Sequence, residues 1–509
     1  MEVAGLVLTV VGTLDICIKY GTQLKATYKA IKHLETDVEE MCVTILGALL
    51  KSQAQLDSLK SMWTTLDPKL QDHFADAVSR LKQRLLGSLG DLKQLKEYSR
   101  AGSSTPDKLK AVYLKKHVKK TVSDIEEWQA RFDPSWYLIS RISDSVIDRQ
   151  LTTGLSQDNP SSTRLARMRQ AIRESSSESP GSSSVFKSPD TISSIKTRIV
   201  DINTFTASYT DDGRPVILDQ TNYLSATAAG PRLQVRDLAR LLRNVNHKTF
   251  SLLRCSGVID ISDDTQKQYQ FILEVPRGLV APMTLRSLLQ HQPRCSLNLR
   301  FQLARQLARS VMFVHTIGFV HKGIRPETVL VFADAQDASE YRHSYLIGFE
   351  RSRRAASPTD YAGDLEWERN LYRHPVRQGQ WPEELFVMQH DIYSLGVCLL
   401  ELALWTSFVQ SDRGEDGDGD TSVRLPWPEL DIASALADKD LRRGAFVVKD
   451  RLVELAQDRL PSLVGLRYTE VTVACLCCLD DGEDNVFGGE VDRVDQDGIV
   501  VGVRFIEKV

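Results

Sequence analysis

Between residues 175 and 190 the chain reads SSSESPGSSSVFKSPD. Serine, proline and glycine dominate it, and no apolar residue recurs at strand or helix spacing. Such a stretch reads as a linker, so the chain is expected to hold two or three separately packed domains. The length points the same way, since it exceeds what a single core accommodates. The period of the apolar residues differs on the two sides and sets the class of each block.

Residues 1–150 carry one-sided apolar stripes at helical spacing. These are Leu34, Val38, Met41, Ile45 and Leu49; then Val78, Leu81, Leu85, Leu89 and Leu92; then Val118, Val122, Ile125 and Gln129 or Phe132, with Trp128 beside them. The breakers TLDPKL (65–70) and AGSSTPDK (101–108) fall between stripes. Long amphipathic helices with short joints predict an all-α bundle. The chain begins MEVAGLVLTVVGTLDICIKYG. Its run Val3–Leu14 spans roughly 18 Å as a helix, against a hydrocarbon core of about 30 Å. Asp15 follows at once, and Glu2 stands where a secretory signal wants positive charge. Two readings remain. Val3, Leu6, Val7, Val10, Val11 and Leu14 line the inside of a first bundle helix, or that helix enters a membrane when released. KLKAVYLKKHVKK (108–120) holds six lysines and no acid, among them Lys115, Lys116, Lys119 and Lys120. It is a solvated face or a surface for anionic lipid, where each basic residue contributes about 1 kcal/mol.

Residues 151–200 read as a linker. Within it TRLARMRQAIRE (163–174) predicts a short basic helix, with Leu165, Met168 and Ile172 on one face and four arginines elsewhere. It either docks on a neighbour or joins the two blocks mechanically.

From about residue 200 strands alternate with helices. VILDQ and YQFILEVP read as strands and VRDLARLLRNV as a helix. NLRFQLARQLARSVMFVHTIG is a longer helix ending at Gly318. Next come FVHKGIRPETVLV, a strand YLIGFE, the tetrapeptide YRHP, and the apolar helix FVMQHDIYSLGVCLLELALW. Cys475, Cys477 and Cys478 have no histidine nearby, so YTEVTVACLCCL reads as a buried helix rather than a metal site. Free thiols suit a reducing, cytoplasmic compartment. The acidic SDRGEDGDGDTS (411–422) sets Asp416, Asp418 and Asp420 at calcium-loop spacing. It has Thr421 for the turn glycine and Trp427 for the closing acid, so a solvated insertion is expected. The net charge of −3 carries no whole-chain argument about nucleic acid, and none is expected as a partner.

In this order and spacing, residues 201–509 resemble a protein kinase domain. The resemblance implies an α+β bilobal fold, so the expected chain is multidomain: an all-α helical bundle at 1–150, a linker at 151–200 and a kinase-like domain at 201–509. It also implies where chemistry ought to sit. Phosphoryl transfer needs positioned phosphates, metal ions and a carboxylate near the attacking hydroxyl. Here Gly323 stands at the base position, Thr328 at the metal-binding asparagine, and Gly348-Phe349-Glu350 in place of Asp-Phe-Gly. Arg325 is the one cation left in the loop. No glycine-rich loop precedes the first strands. The strand that should hold a phosphate-binding lysine reads Val216-Ile217-Leu218-Asp219-Gln220, and Leu238, beside Asp237, falls at the helix glutamate. Loss of a general base alone costs roughly 10²–10⁴ in rate. The scaffold residues His321, Phe349 and Asp391 remain. The pattern is that of a pseudokinase, with no catalytic residue, metal or cofactor expected and metal-independent ATP binding left open. RSRRAASPTDY (351–361) occupies the activation-segment position, and Lys322 stands where an arginine meets a phosphate in such domains, which leaves phosphate-driven switching open.

The opening run with its following helices, and FDPSWYLISRISD (132–144), resemble the HeLo and HeLo-like domains of fungal prion-forming and cell-death proteins. In that family the domain permeabilises membranes once its first helix is released and chains oligomerise. The order of bundle, linker and pseudokinase is also similar to that of the mixed-lineage-kinase-domain-like executioners of necroptosis. The resemblance implies signal-controlled membrane targeting and permeabilisation. The implied partners are other proteins, further copies of the chain and anionic lipids, with a cytoplasmic resting state and recruitment to the plasma membrane. A non-lytic adaptor and an unorthodox ATP-binding kinase stay open beside it.

Overall fold

In the computed structural model the described residues are 2–29, 36–100, 107–142, 144–153, 160–176, 185–223, 230–263, 266–291, 295–349, 352–354, 365–379, 385–412, 423–480, 485–487 and 499–509. They fall into two compact units, Met1–Gln170 and Ala171–Val509.

The first unit consists of α1 (Glu2–Lys29), α2 (Thr36–Met62), α3 (Pro68–Arg100), α4 (Asp107–Leu138), α5 (Ser145–Thr153) and most of α6 (Pro160–Ser176). Helices α1 and α4 each pack against α2 and α3. The stripes read from the sequence face this interior. Val38, Ile45 and Leu49 are buried, as are Val78, Leu81, Leu85, Leu89 and Leu92, and Val118, Ile125 and Phe132. Met41 and Val122 are half-buried, and Leu34 lies outside the described residues. Each fully buried Leu or Phe stabilises by about 1.5–3 kcal/mol. Trp128 stacks on Phe132 at 4.4 Å, and Phe132 tilts onto Phe74 of α3 at 5.5 Å. From α1, Leu14, Cys17 and Leu24 enter the core. The Cys17 thiol donates to the Val78 carbonyl at 3.5 Å, and burial pushes its pKa up to about 12. Lys60 of α2 pairs with Asp15 of α1 at 2.5 Å.

Helix α6 buries Leu165 and Met168 and leaves Ile172 half-buried, as its pattern predicts. One of its four arginines is buried. Arg169 is only 3% exposed. Its Nε pairs with Asp148 of α5 at 2.7 Å, Nη1 donates to the carbonyls of Ile139 (2.7 Å) and Ile142 (2.6 Å), and Nη2 to that of Asp144 (2.9 Å). A helix end leaves carbonyls without partners, and this guanidinium supplies them just past α4. The border between the units falls after Gln170, inside α6.

The second unit opens with β1 (Phe186–Lys187), β2 (Thr197–Arg198), β3 (Thr204–Ser208), β4 (Pro215–Tyr223), α7 (Gly230–Leu242), α8 (His247–Phe250), β5 (Arg254–Asp260) and β6 (Lys267–Glu274). The strands form one sheet in the order β1-β5-β6-β4-β3-β2, antiparallel except for β1 beside β5. Helix α7 packs on β5 and β6. Val216 and Leu218 of β4 join Ile192, Tyr209, Ile259 and Ile272 in one apolar cluster. Successive residues of a strand face opposite sides of its sheet. Asp219, next in β4, therefore points to the other face, yet it is only 1% exposed.

A mostly helical part comes after: β7 (Leu279–Thr284), α9 (Leu285–His291), α10 (Leu297–Thr316), β8 (Phe319–Val320), β9 (Val329–Asp334), β10 (Asp337–Leu346), β11 (Arg353–Arg354), α11 (Trp367–Asn370), α12 (Met388–Leu404), β12 (Val409–Asp412), β13 (Val423–Pro426), α13 (Ala433–Leu436), α14 (Leu441–Val464), α15 (Leu466–Leu476) and α16 (Ile499–Lys508). Helix α10 stops at Gly318, which takes φ +80°. Every residue of α12 from Met388 to Ala403 is buried. Against it lies α15, so close that a Cβ on Gly396 would sit 2.9 Å from Cys475 Cβ and 3.0 Å from the Leu476 nitrogen. Cys475 and Cys478 are buried thiols in that seam, and Cys477 is half-buried. The strand expected over YLIGFE ends early. β10 stops at Leu346, and Gly348 at φ +81° turns the chain away.

Candidate functional site

The loop after β8 is held from below by Asp391, in the first turn of α12. This carboxylate is fully buried, accepting the backbone N–H of His321 at 2.7 Å and of Lys322 at 2.9 Å, while His315 Nε2 lies 3.2 Å away. The two amides are pinned with Lys322 at φ +64°, a backbone state that costs a non-glycine residue about 1–2 kcal/mol. His321 is fully buried, and its Nε2 donates to the Ile347 carbonyl at 3.0 Å. Burial lowers its pKa to about 4, ahead of the opposing pull of Asp391, so it is neutral at pH 7. Its ring tilts onto buried Phe349 at 5.0 Å. The structure thus brings His321, Phe349 and Asp391 into one scaffold.

The remaining positions form a closed corner. Thr328 Oγ1 donates to the Gly323 carbonyl at 2.8 Å and accepts the Arg325 N–H at 3.1 Å, closing the loop on itself. Its methyl fills the space beside Gly348, where a Cβ would lie 2.6 Å from Thr328 Cγ2. Position 348 therefore demands glycine twice, for its positive φ and for this contact. Gly323 differs. A Cβ there meets nothing nearer than 3.7 Å, so a side chain fits. Arg325 lies 3.7 Å from Glu327, which pairs with buried Arg286 at 3.0 Å.

From above, β4 contributes Asp219. Its Oδ2 accepts the backbone N–H of Gly348 at 2.9 Å and of Phe349 at 3.3 Å, and its Oδ1 accepts Thr204 Oγ1 at 3.2 Å. The sequence marked this position only as lacking a lysine; the structure places there a carboxylate bonded across 129 and 130 residues of chain. The turn 199–203 between β2 and β3 reaches the same corner, with Ile202 Cδ1 3.9 Å from the Cβ position of Gly348. Leu238 is buried, and the neighbouring Asp237 pairs with Arg236 of its own helix at 2.9 Å. Glu350, most of 351–361, and Asp416, Asp418 and Asp420 lie outside the described residues. No group of three or more His, Cys, Asp or Glu among the described residues is arranged to hold a metal ion.

The membrane candidates lie in the first unit. Val10 and Leu14 are buried and Val11 is half-buried; the side chains of Val3, Leu6 and Val7 lie outside what is described. On α4, Lys116, Lys119 and Lys120 are exposed and Lys115 is half-buried. Among the described residues no helix is long and apolar enough to cross a membrane. A scan of the chain against models of known protein families finds no match.

Proposed function

We propose that this chain is a signalling pseudokinase whose kinase-like domain controls a HeLo-like helical bundle, which acts by regulated membrane targeting and permeabilisation. The observation that carries the non-catalytic part is Asp219. A buried carboxylate caps the 348–349 amides where a nucleotide-binding cleft would place a cation, and Ile202 and the Thr328 methyl crowd the same corner. The bundle's part draws support from α1, whose apolar face is packed at Val10, Leu14 and Cys17 and whose one acid beyond Glu2, Asp15, is held by Lys60. A helix so held is stored rather than displayed.

Two measurements test the reading. Thermal unfolding of the full chain with ATP, with and without Mg²⁺, is expected to show no shift; a Mg²⁺-dependent rise in Tm would refute the pseudokinase assignment. A chain ending after Ser176 is expected to release dye from anionic vesicles faster than the full chain does. Intact vesicles would end the permeabilisation reading. The adaptor reading then takes its place, and one feature favours it: a groove of 260 Å³ lined by Trp367, Leu371, Leu436 and Val448, with exposed Leu365 and Leu441 at its rim, suits an apolar protein partner.

A further inference from the structure

The last residues of the serine-rich stretch pack on the second unit. Residues 185–193 form a strap over its sheet, anchored at both ends. At the first end Val185 is buried, its carbonyl accepts the Val258 N–H at 2.9 Å, and Phe186–Lys187 run as β1 beside β5. Arg232 Cζ of α7 lies 4.0 Å from the centre of the Phe186 ring. The Lys187 stem lies across Gly257, and its Nζ is 5.4 Å from the centre of the Tyr209 ring. At the second end Ile192 is buried in the apolar cluster with Tyr209. There the Thr210 N–H donates to the Thr191 carbonyl at 3.0 Å, and the Ser193 N–H to the Ser208 carbonyl at 2.9 Å. Between these anchors Ser188, Pro189 and Asp190 are exposed.

The exposed arch presents a hydroxyl to solvent. Ser188 Oγ accepts the Asp190 N–H at 3.3 Å and donates to Asp190 Oδ2 at 3.0 Å. The Ser188 backbone is extended, with φ −63° and ψ 143°, the state that a following proline favours. Among the described residues no other serine or threonine precedes a proline. We propose that Ser188 is a phosphorylation site for a separate, proline-directed protein kinase, and that its phosphate unfastens the strap. Ser188 Oγ attacks the γ-phosphorus of ATP held by that kinase. An O–P bond forms, the bond from that phosphorus to the bridging oxygen breaks, ADP leaves, and the hydroxyl proton passes to the kinase's base. The product removes the donor that served Asp190 and sets about −1.5 to −2 charges beside its carboxylate. Lys187, one residue away, answers the phosphate only by leaving Tyr209 and Gly257, which loosens the strap as well. Release uncovers the edge of β5 and opens its backbone groups to another strand. The proposal does not rest on the membrane reading.

The test treats the full chain with ATP, Mg²⁺ and a purified proline-directed kinase. Phosphate is mapped by mass spectrometry, and hydrogen exchange is compared with that of the same chain untreated. Ser188 is expected to carry phosphate in the folded chain. Exchange then rises in the peptides covering Ser193, Thr210 and Val258, whose amides hold the strap. The rise is about tenfold, the factor that loss of one hydrogen bond to a charged group brings. Ser188→Ala, treated in the same way, keeps its slow exchange, which assigns the effect to this serine rather than to Ser179 or Ser357. Asp190→Asn takes the phosphate too but shows a smaller rise, because the repelled carboxylate is gone. The proposal is overturned if Ser188 stays unmodified, if the phosphorylated chain exchanges like the untreated one, or if treated Ser188→Ala shows the same rise. A rise as large in Asp190→Asn as in the parent overturns repulsion at Asp190 as the cause of release.

Discussion

Replacing Gly348 by alanine perturbs the corner at its tightest point. The residue sits at φ +81°, a conformation that costs an L-residue about 1–2 kcal/mol. The added methyl would lie 2.6 Å from Thr328 Cγ2 and 3.1 Å from its Cβ. Thr328 cannot rotate away without giving up its hydrogen bond to the Gly323 carbonyl, so an overpacking cost of about 1–3 kcal/mol applies. The sum is about 2–5 kcal/mol. Hydrogen exchange read by mass spectrometry on peptides covering β4 and 347–349 measures it locally, without requiring the two units to unfold together. A second substitution divides the sum. Thr328→Ser keeps Oγ1 and removes the methyl, so in the Gly348→Ala background it should recover the overlap part and leave the backbone part. Unchanged protection in Gly348→Ala, or no recovery with Thr328→Ser, would refute the steric argument. By the same geometry Gly323→Asp should fold, whereas Gly348→Asp should not be tolerated.

Asp219→Asn leaves an acceptor but removes the charge behind two backbone hydrogen bonds and should lower the Tm of the second unit by the equivalent of about 1–3 kcal/mol. Arg169→Met strands Asp148 and three carbonyls and should cost about 3–5 kcal/mol, seen as faster hydrogen exchange across 160–176. His321 titrates near 4 when folded against 6.5 ordinarily, because burial disfavours its charge. Below pH 6.5 the unfolded chain gains a proton that the folded one refuses, so stability falls between pH 6.5 and 4 by up to about 3 kcal/mol; His321→Gln should flatten that limb of a pH–urea series. Glu401 works oppositely. Burial raises it to about 8 from 4.5, so stability falls as pH rises from 4.5 to 8, and Glu401→Gln should remove that slope.

What could be read in advance tracked physical range. The α1–α4 core was legible because one period governs it; all five residues of the Val78–Leu92 stripe are buried. The α12 scaffold was legible because the helix is apolar over most of its length and Asp391 stands in its first turn. Asp219 was legible as an absence only. Its role depends on amides 129 and 130 residues away, and a carboxylate facing backbone N–H groups leaves no local pattern. The Thr328–Gly348 fit depends on a positive φ that a glycine permits but does not announce. Arg169 was legible only as lying off the apolar face of its helix, and three of its partners are carbonyls, which every residue has.

Cys17 makes the state of the first helix chemically visible. Its thiol faces α3, bonded to the Val78 carbonyl, with its pKa driven up to about 12 by burial. While α1 is seated, a maleimide or disulfide reagent finds neither access nor thiolate. If α1 leaves as proposed, the same sulfur should return to an ordinary cysteine, with a pKa of about 8.5, and react. Cys42, the other thiol of this unit, is also buried, but on α2. The ratio of labelling at Cys17 to labelling at Cys42, read by mass spectrometry, would thus rise with the proposed departure of the first helix.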